Sequence, residues 1–357
     1  MFRTAQASGL RRFCILEDIM LAKQAIAELL EKFGLTFLDI TKEVDTSHGD
    51  DDRRLNYILD DKYVLKVHSV RSMWEMRLQE IQRLIDRYRS IGVYCPRMIP
   101  TLDGSLSCLY EINGIPHICF VEEFAIYPVC PDELTLDRKE VLAHVGKLAA
   151  KYSGVDLSSI RSMWSIIDLA PLDVDVDEKQ ENTNLLCDVL KAAGYPDLAA
   201  KVNVLNEQMR TVIVKDYLAL PRCVYQGDMN SSNELHRDGH FVGLIDFNMA
   251  GTDVNINVFV NETNWFPEEA EFDNMPVDEI LCRIDTEQAE LLEIIFENYA
   301  MNELERRLFP YYKRIADLFQ WPTVCFFKKW LKEDSRKEKC IALIRALVEK
   351  PFAEFAL

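Results

Sequence analysis

Three residues with chelating side chains recur at short spacing in the second half of the chain. Asp228 and Asn233 lie five positions apart in Tyr225-Gln226-Gly227-Asp228-Met229-Asn230-Ser231-Ser232-Asn233, and Asp246 ends the apolar run Phe241-Val242-Gly243-Leu244-Ile245. Two carboxylates and an amide offer oxygen ligands and few protons at neutral pH. That donor set suits Mg²⁺, a hard cation held by one or two carboxylates together with phosphate oxygens. Between the two pieces stands Arg237-Asp238-Gly239-His240. An Asp-Gly pair between strand-like runs predicts a tight hairpin, because such a turn needs positive φ at both central residues. The strand 241–245 then folds back on 234–236, and Asp246 returns near Asp228 and Asn233.

An acid, an amide five residues on, and a strand ending in Asp-Phe form the order used in kinase-type phosphoryl transfer. On these residues the chain resembles the aminoglycoside phosphotransferase and choline kinase-like family, a branch of the protein kinase-like fold. The resemblance is strongest over 224–251 and weaker over about 38–125. It implies a nucleotide, ATP or GTP, as phosphoryl donor and Mg²⁺ as cofactor. Asp228 would orient the acceptor hydroxyl and take its proton late in the reaction, while Asn233 and Asp246 would hold the metal. The turn at His48 and Gly49 would cover the phosphates, and the connector Glu122-Glu123-Phe124 would present its backbone to the purine base. Lys66 would reach the α- and β-phosphates, oriented by Glu80, with Glu75 as the rival partner. Lys66 also attracts notice on its own: it sits in the apolar strand Tyr63-Val64-Leu65-Lys66-Val67, and an unpaired buried ammonium is costly.

The chain departs from the family's pattern at several points. Gln226 stands where the family usually has His, and an amide can still both donate and accept. Asn230 replaces a second frequent His, Asn248 stands where kinases place Gly, and Asn257 is nearest to the position of a usual acid. The phosphate-covering turn holds one glycine and three consecutive aspartates, Asp50-Asp51-Asp52. Carboxylates facing a triphosphate repel it, so this loop fits a solvated tip as well as it fits the phosphates.

Those residues need a scaffold. Apolar spacing predicts a leading helix over 16–32, stopped by Gly34, then strands at 38–44, 55–59 and 63–67 and a long helix over 72–91. Asp103-Gly104 and Asn113-Gly114 predict two further hairpin turns before the strand 118–121. From Pro131 onward the pattern is helical: 135–152 capped by Thr135, 182–193, 198–218, 276–299, 302–319, 323–331 and 335–348. The acidic stretch 173–177 reads as a solvated loop, and the stretch 252–265 is rich in Asn, with Asn255, Asn257, Asn261 and Asn264. The expected architecture is α+β and bilobal: an antiparallel N-lobe with one long helix over 1–124, and a mostly helical C-lobe over 125–357 that carries catalysis and acceptor binding. Asn248, Asp253, Asn255, Glu262 and Trp265 are candidates for the acceptor site by sequence proximity.

At 357 residues the chain is long for one core. Its net charge of −18 argues against nucleic acid or an anionic membrane as partner; it accords with solubility alone and also with a cationic acceptor. Ten cysteines without a C-x-x-C pair, several inside apolar runs, read as free thiols of a cytoplasmic protein. No apolar stretch is long enough to span a membrane. The expected activity is phosphorylation of a hydroxyl on a small molecule: an aminoglycoside, choline-like amine, sugar or amino alcohol. The alternatives are a non-catalytic nucleotide sensor of the same fold, a protein Ser/Thr kinase, for which no Ala-Pro-Glu segment follows Asp246, and a metal-dependent hydrolase. His236 and His240 have i, i+4 spacing, but a turn between them does not suit zinc.

Overall fold

The computed structural model describes residues 21–47, 52–131, 136–171 and 173–352. His48, Gly49 and the first two loop aspartates therefore lie outside the described residues, as do Thr135 and the start of the expected leading helix. The chain divides into two compact units, one of residues 1–136 with 230–245, the other of 137–229 with 246–357.

The first unit is built on an antiparallel sheet. Its strands are β1 (Ile40–Asp45), β2 (Arg54–Leu59), β3 (Tyr63–Ser69), β4 (Met98–Ile99), β5 (Cys108–Ile112) and β6 (Ile115–Glu123), in the order β1-β2-β3-β6-β4 with β5 paired to β6. Tight turns set the register. Asp60 and Asp61 both take positive φ between β2 and β3, and Asn113-Gly114 does the same between β5 and β6. Asp103-Gly104 turns the chain, closed by Thr101 N–H donating to Ser105 O, but no strand ladder flanks it. One sheet face packs Leu65, Val67, Cys119 and Val121 with Ile26, Leu29 and Leu30 of helix α1 (Lys23–Glu31). The long helix α2 (Glu75–Ser90) buries Leu78, Ile81, Leu84 and Ile85, the face its spacing predicts. The chain returns to this unit as the hairpin β8 (Glu234–Arg237) and β9 (His240–Leu244), joined by Asp238 and Gly239, both at positive φ.

The second unit is helical around one small ladder, β7 (Arg222–Tyr225) with β10 (Gly251–Val254). Its helices are α3 (Arg138–Tyr152), α4 (Glu178–Ala192), α5 (Pro196–Asp216), α6 (Asn255–Glu262), α7 (Glu269–Asn274), α8 (Val277–Phe296), α9 (Glu303–Phe319), α10 (Trp321–Trp330) and α11 (Asp334–Glu349).

Two local expectations need correction. Helix α3 is capped by Asp137, whose carboxylate accepts from Lys139 N–H, since Asp satisfies an orphan first-turn donor as well as Thr does. The acidic stretch is not wholly solvated: Asp177 is buried, accepts from Gln180 N–H at the start of α4, and is held by both Nη atoms of Arg210 at 2.6 and 2.7 Å. The Asn-rich stretch contains α6, buried over residues 255–260. Ile256, Val258, Phe259 and Val260 are buried there beside Asn255 and Asn257, whose amides bond inward.

Candidate active site

β7 runs directly into Gln226-Gly227-Asp228, and Gln226 is fully buried. Its two amide ends do different work. The Nε2–H donates to the carbonyl oxygen of Asp246 at 2.6 Å, and Oε1 accepts from the backbone N–H of Asp228 at 2.7 Å. One side chain thereby ties the backbones of both acids together. The neighbouring glycine is required by sterics. Gly227 has φ +84°, and a Cβ there would lie 2.3 Å from the carbonyl oxygen of Met249. Its own carbonyl accepts from the Trp164 indole N–H at 2.6 Å. Asp246 sits at φ +54°, a left-handed conformation that Asp tolerates better than most residues. Both Asp228 and Asp246 remain partly accessible.

The turn at Asp228 and Met229 has a second anchor that the sequence reading missed. Arg138, the first residue of α3, donates from Nη1 to the carbonyl oxygen of Met229 at 3.0 Å, and its Nη2 is paired with the Glu262 carboxylate. Burial pushes the Glu262 carboxyl above its ordinary range, Arg138 opposes this, and the negative charge of Asp228 adds to the rise. Glu262, an acceptor candidate, thus belongs to the electrostatic surroundings of Asp228.

The other acceptor candidates differ in what they can still do. Asn255 is wholly buried. It accepts from Tyr225 OH at 2.9 Å, and its Nδ2 donates to Ser153 Oγ and Tyr299 OH, so its amide holds the core. Asp253 is 3% exposed and accepts from Asn257 Nδ2 at both carboxylate oxygens, at 3.1 and 3.0 Å. Burial pushes its carboxyl up to about 7 against those bonds. Asn257 also donates to the carbonyl oxygen of Trp164, so the amide at the place of the family's acid links Asp253 to the residue that bonds Gly227. Trp265 lies under Arg283 at 4.4 Å, and Asn248 N–H donates to Asp246 Oδ1 at 3.4 Å.

In the first unit Asn233 is buried and closes the turn before β8: its N–H donates to Asn230 O, and its carbonyl accepts from Ile245 N–H at 3.0 Å. Lys66, 7% exposed, forms an ion pair with Glu122 at 3.0 Å. The register explains the pairing. Lys66 lies opposite Phe120 and Val64 opposite Glu122, so Lys66 and Glu122 project from one face as diagonal neighbours. Glu75 is engaged elsewhere, accepting from Leu106 N–H, Ser107 Oγ and Gln79 Nε2. Glu80 lies on α2, charge-coupled to Arg77. At the connector, Glu123 N–H donates to Arg97 O and Phe124 N–H to Lys62 O, so both donors serve the sheet.

Compared with known proteins, the chain matches no curated sequence. Its fold is similar to that of a solved amicoumacin kinase in complex with AMP-PNP, Ca²⁺ and Ami, at 10% identity and a TM-score of 0.51, covering 94% of this chain and 96% of that one. A microcompartment-associated aminopropanol kinase aligns at 13% identity, a TM-score of 0.49 and coverage of 91% and 95%. A spectinomycin phosphotransferase in complex with ADP and spectinomycin aligns at 13%, 0.47, 91% and 96%. Among the described residues no helix is long and apolar enough to cross a membrane. The profile of the phosphotransferase enzyme family (APH) matches residues 47–254, a span that takes in Lys66, the whole of β7 to β10 and all three chelating residues. With more than half its length inside that match, the chain belongs to the phosphotransferase enzyme family and is a small-molecule phosphotransferase acting on hydroxyl groups.

Proposed function

We propose that the protein transfers the terminal phosphoryl group of ATP or GTP, with Mg²⁺, to a hydroxyl of an aminoglycoside, choline-like amine, sugar or amino alcohol. The observation that carries this reading is the double hydrogen bond of Gln226, which fixes Asp228 and Asp246 as one unit. Phosphoryl transfer asks mainly for positioning and charge neutralisation, and a buried amide tying two acids together supplies positioning.

Asp228 orients the acceptor hydroxyl and receives its proton. Asn233 and Asp246 would hold Mg²⁺; their oxygen donors suit a hard cation. When bound, the metal neutralises charge developing on the phosphates. Lys66 offers its ammonium to the α- and β-phosphates, with Glu122 and Glu80 as acids that orient it. For the base, Glu122 to Phe124 form the approach, and the Ala125 N–H, which makes no hydrogen bond among the described residues, is the first free donor of the connector. Asn248, Glu262 and Trp265 keep partly exposed side chains for the acceptor. The net charge of −18 favours an acceptor carrying an amine. The similar fold in complex with AMP-PNP and Ca²⁺ supports a nucleotide and a divalent cation.

The test is thermal unfolding with ATP or GTP, with and without Mg²⁺, for wild type and Asp246→Ala. Nucleotide at about a hundred times its dissociation constant adds roughly 2.7 kcal/mol. A magnesium-dependent rise that Asp246→Ala abolishes supports the assignment, and nucleoside diphosphate release with amine-bearing alcohols then identifies the acceptor class. A folded sample with no shift from either nucleotide would overturn it. Binding without turnover across the acceptor set would point to a sensor.

A further inference from the structure

We propose that Cys108 and Cys119 form a redox-active dithiol that closes reversibly to a disulfide between β5 and β6. The inference is independent of phosphoryl transfer and rests on strand register. Cys108 lies directly opposite Cys119 in the antiparallel ladder, with the register set by the tight Asn113-Gly114 turn. Residues in such positions hold their Cβ atoms about 4.5–5.5 Å apart, and a disulfide needs roughly 3.5–4.5 Å, so a small side-chain adjustment brings the sulfurs to bonding distance.

The two thiols stand in one cross-strand pair. Elsewhere the buried thiols of Cys95, Cys130, Cys187 and Cys223 donate to backbone carbonyls. The pair is also asymmetric. Cys119 is fully buried in the core with Leu65 and Val121, whereas Cys108 is partly exposed on β5, a strand paired only to β6. The side chain of Cys119 holds the Cys108 thiol below its ordinary range against burial, and Lys32 helps. The Cys108 thiol in turn, followed by burial, pushes Cys119 up. Cys108 is therefore the thiol that meets an oxidant, and Cys119 is the one that resolves it.

The oxidant is a hydroperoxide. The Cys108 thiolate attacks a peroxide oxygen, the S–O bond forms, the O–O bond breaks, and with hydrogen peroxide the departing hydroxide takes a proton as water. The Cys119 sulfur then attacks Cys108 Sγ, the S–S bond forms, the S–O bond breaks, and a second water leaves with the Cys119 proton. Two thiols lose two electrons and two hydrogens, and peroxide is reduced to two waters.

The experiment treats the full chain with hydrogen peroxide, alkylates the remaining thiols under denaturing conditions, cleaves after Glu111 to separate the two cysteines, and reads the fragments by mass spectrometry. Exposed Cys282 reports that oxidant reached the protein. The expected result is a fragment pair that stays linked, lighter by two hydrogens and released by dithiothreitol. Cys108→Ser, at the partly exposed edge, should fold and give no link while Cys119 stays alkylatable. The proposal is overturned if Cys282 oxidises while Cys108 and Cys119 both remain alkylatable, if Cys108 stops at a sulfinic acid, or if either links to a third cysteine.

Discussion

Replacing Gln226 probes the centre of the site most directly. Gln226→Ala removes a buried donor and a buried acceptor together, leaving the carbonyl oxygen of Asp246 and the N–H of Asp228 without this partner. Each such loss costs about 1–3 kcal/mol, so the fold should lose roughly 2–6 kcal/mol. A displacement of about 1 Å at a reacting group can reduce the rate on the order of 100-fold, so kcat should fall further than KM rises. Gln226→Glu is the sharper variant. It is nearly isosteric and keeps the acceptor for Asp228 N–H, but it turns an oxygen toward the Asp246 carbonyl. A buried carboxylate there is disfavoured and its pKa raised, and protonation restores a donor. Gln226→Glu should therefore be damaged at pH 8 and recover as pH falls toward 6. Urea unfolding gives the stability change, and initial rates over that pH range give the activity. The reasoning is refuted if both variants stay within about 0.5 kcal/mol of wild type, the scatter expected of a neutral surface change, and keep its kcat.

Other perturbations test neighbouring claims. Glu122→Leu leaves the Lys66 ammonium buried without this partner and should cost about 2–3 kcal/mol; Lys66→Met with Glu122→Leu should regain most of that in urea unfolding while nucleotide-dependent activity stays lost. Asp253, with its carboxyl raised to about 7 by burial, binds a proton more tightly folded than unfolded. Its contribution is thus largest at low pH and declines by about 1.4 kcal/mol per pH unit as pH rises from about 4 to 7. Asp253→Asn should lack this slope, so the stability gap between wild type and variant narrows from pH 5 to pH 8. Gly227→Ala, strained by φ and by the approach to Met249, should lose about 3 kcal/mol or more by the same assay, above the usual range for point changes. Asp177→Ala removes a helix cap and the partner of Arg210 together, and a loss near 3 kcal/mol is expected.

What could be read from sequence follows from how local its cause is. The β8–β9 turn was legible because Asp238-Gly239 is a short-range conformational demand. The proposed set of Asp228, Asn233 and Asp246 rests on residue types at short spacing, which a sequence displays directly. The pairing of Lys66 with Glu122 was not, because it depends on the register of β3 against β6, strands far apart in the chain. Arg138 escaped notice for a related reason: its partners Met229 and Glu262 lie 91 and 124 residues away in the chain. Asp177 was hidden in an acidic run whose other members give no hint of Arg210. Helix α6 has no side-chain cap, and its buried face mixes Ile256, Phe259 and Val260 with Asn255 and Asn257, whose amides bond within the protein.

The close approach of Gly227 to Met249 bears on how this lineage can change. Every amino acid other than glycine carries a Cβ, so no missense replacement at 227 escapes the collision with the Met249 carbonyl. Selection on folding alone would keep that glycine, even in a descendant that had ceased to phosphorylate anything. Asp228, partly exposed one position later, has no such steric protection and would drift once its chemistry was no longer required. Under the role proposed for Asp228, a retained glycine beside a lost aspartate would mark an abandoned activity on an intact scaffold.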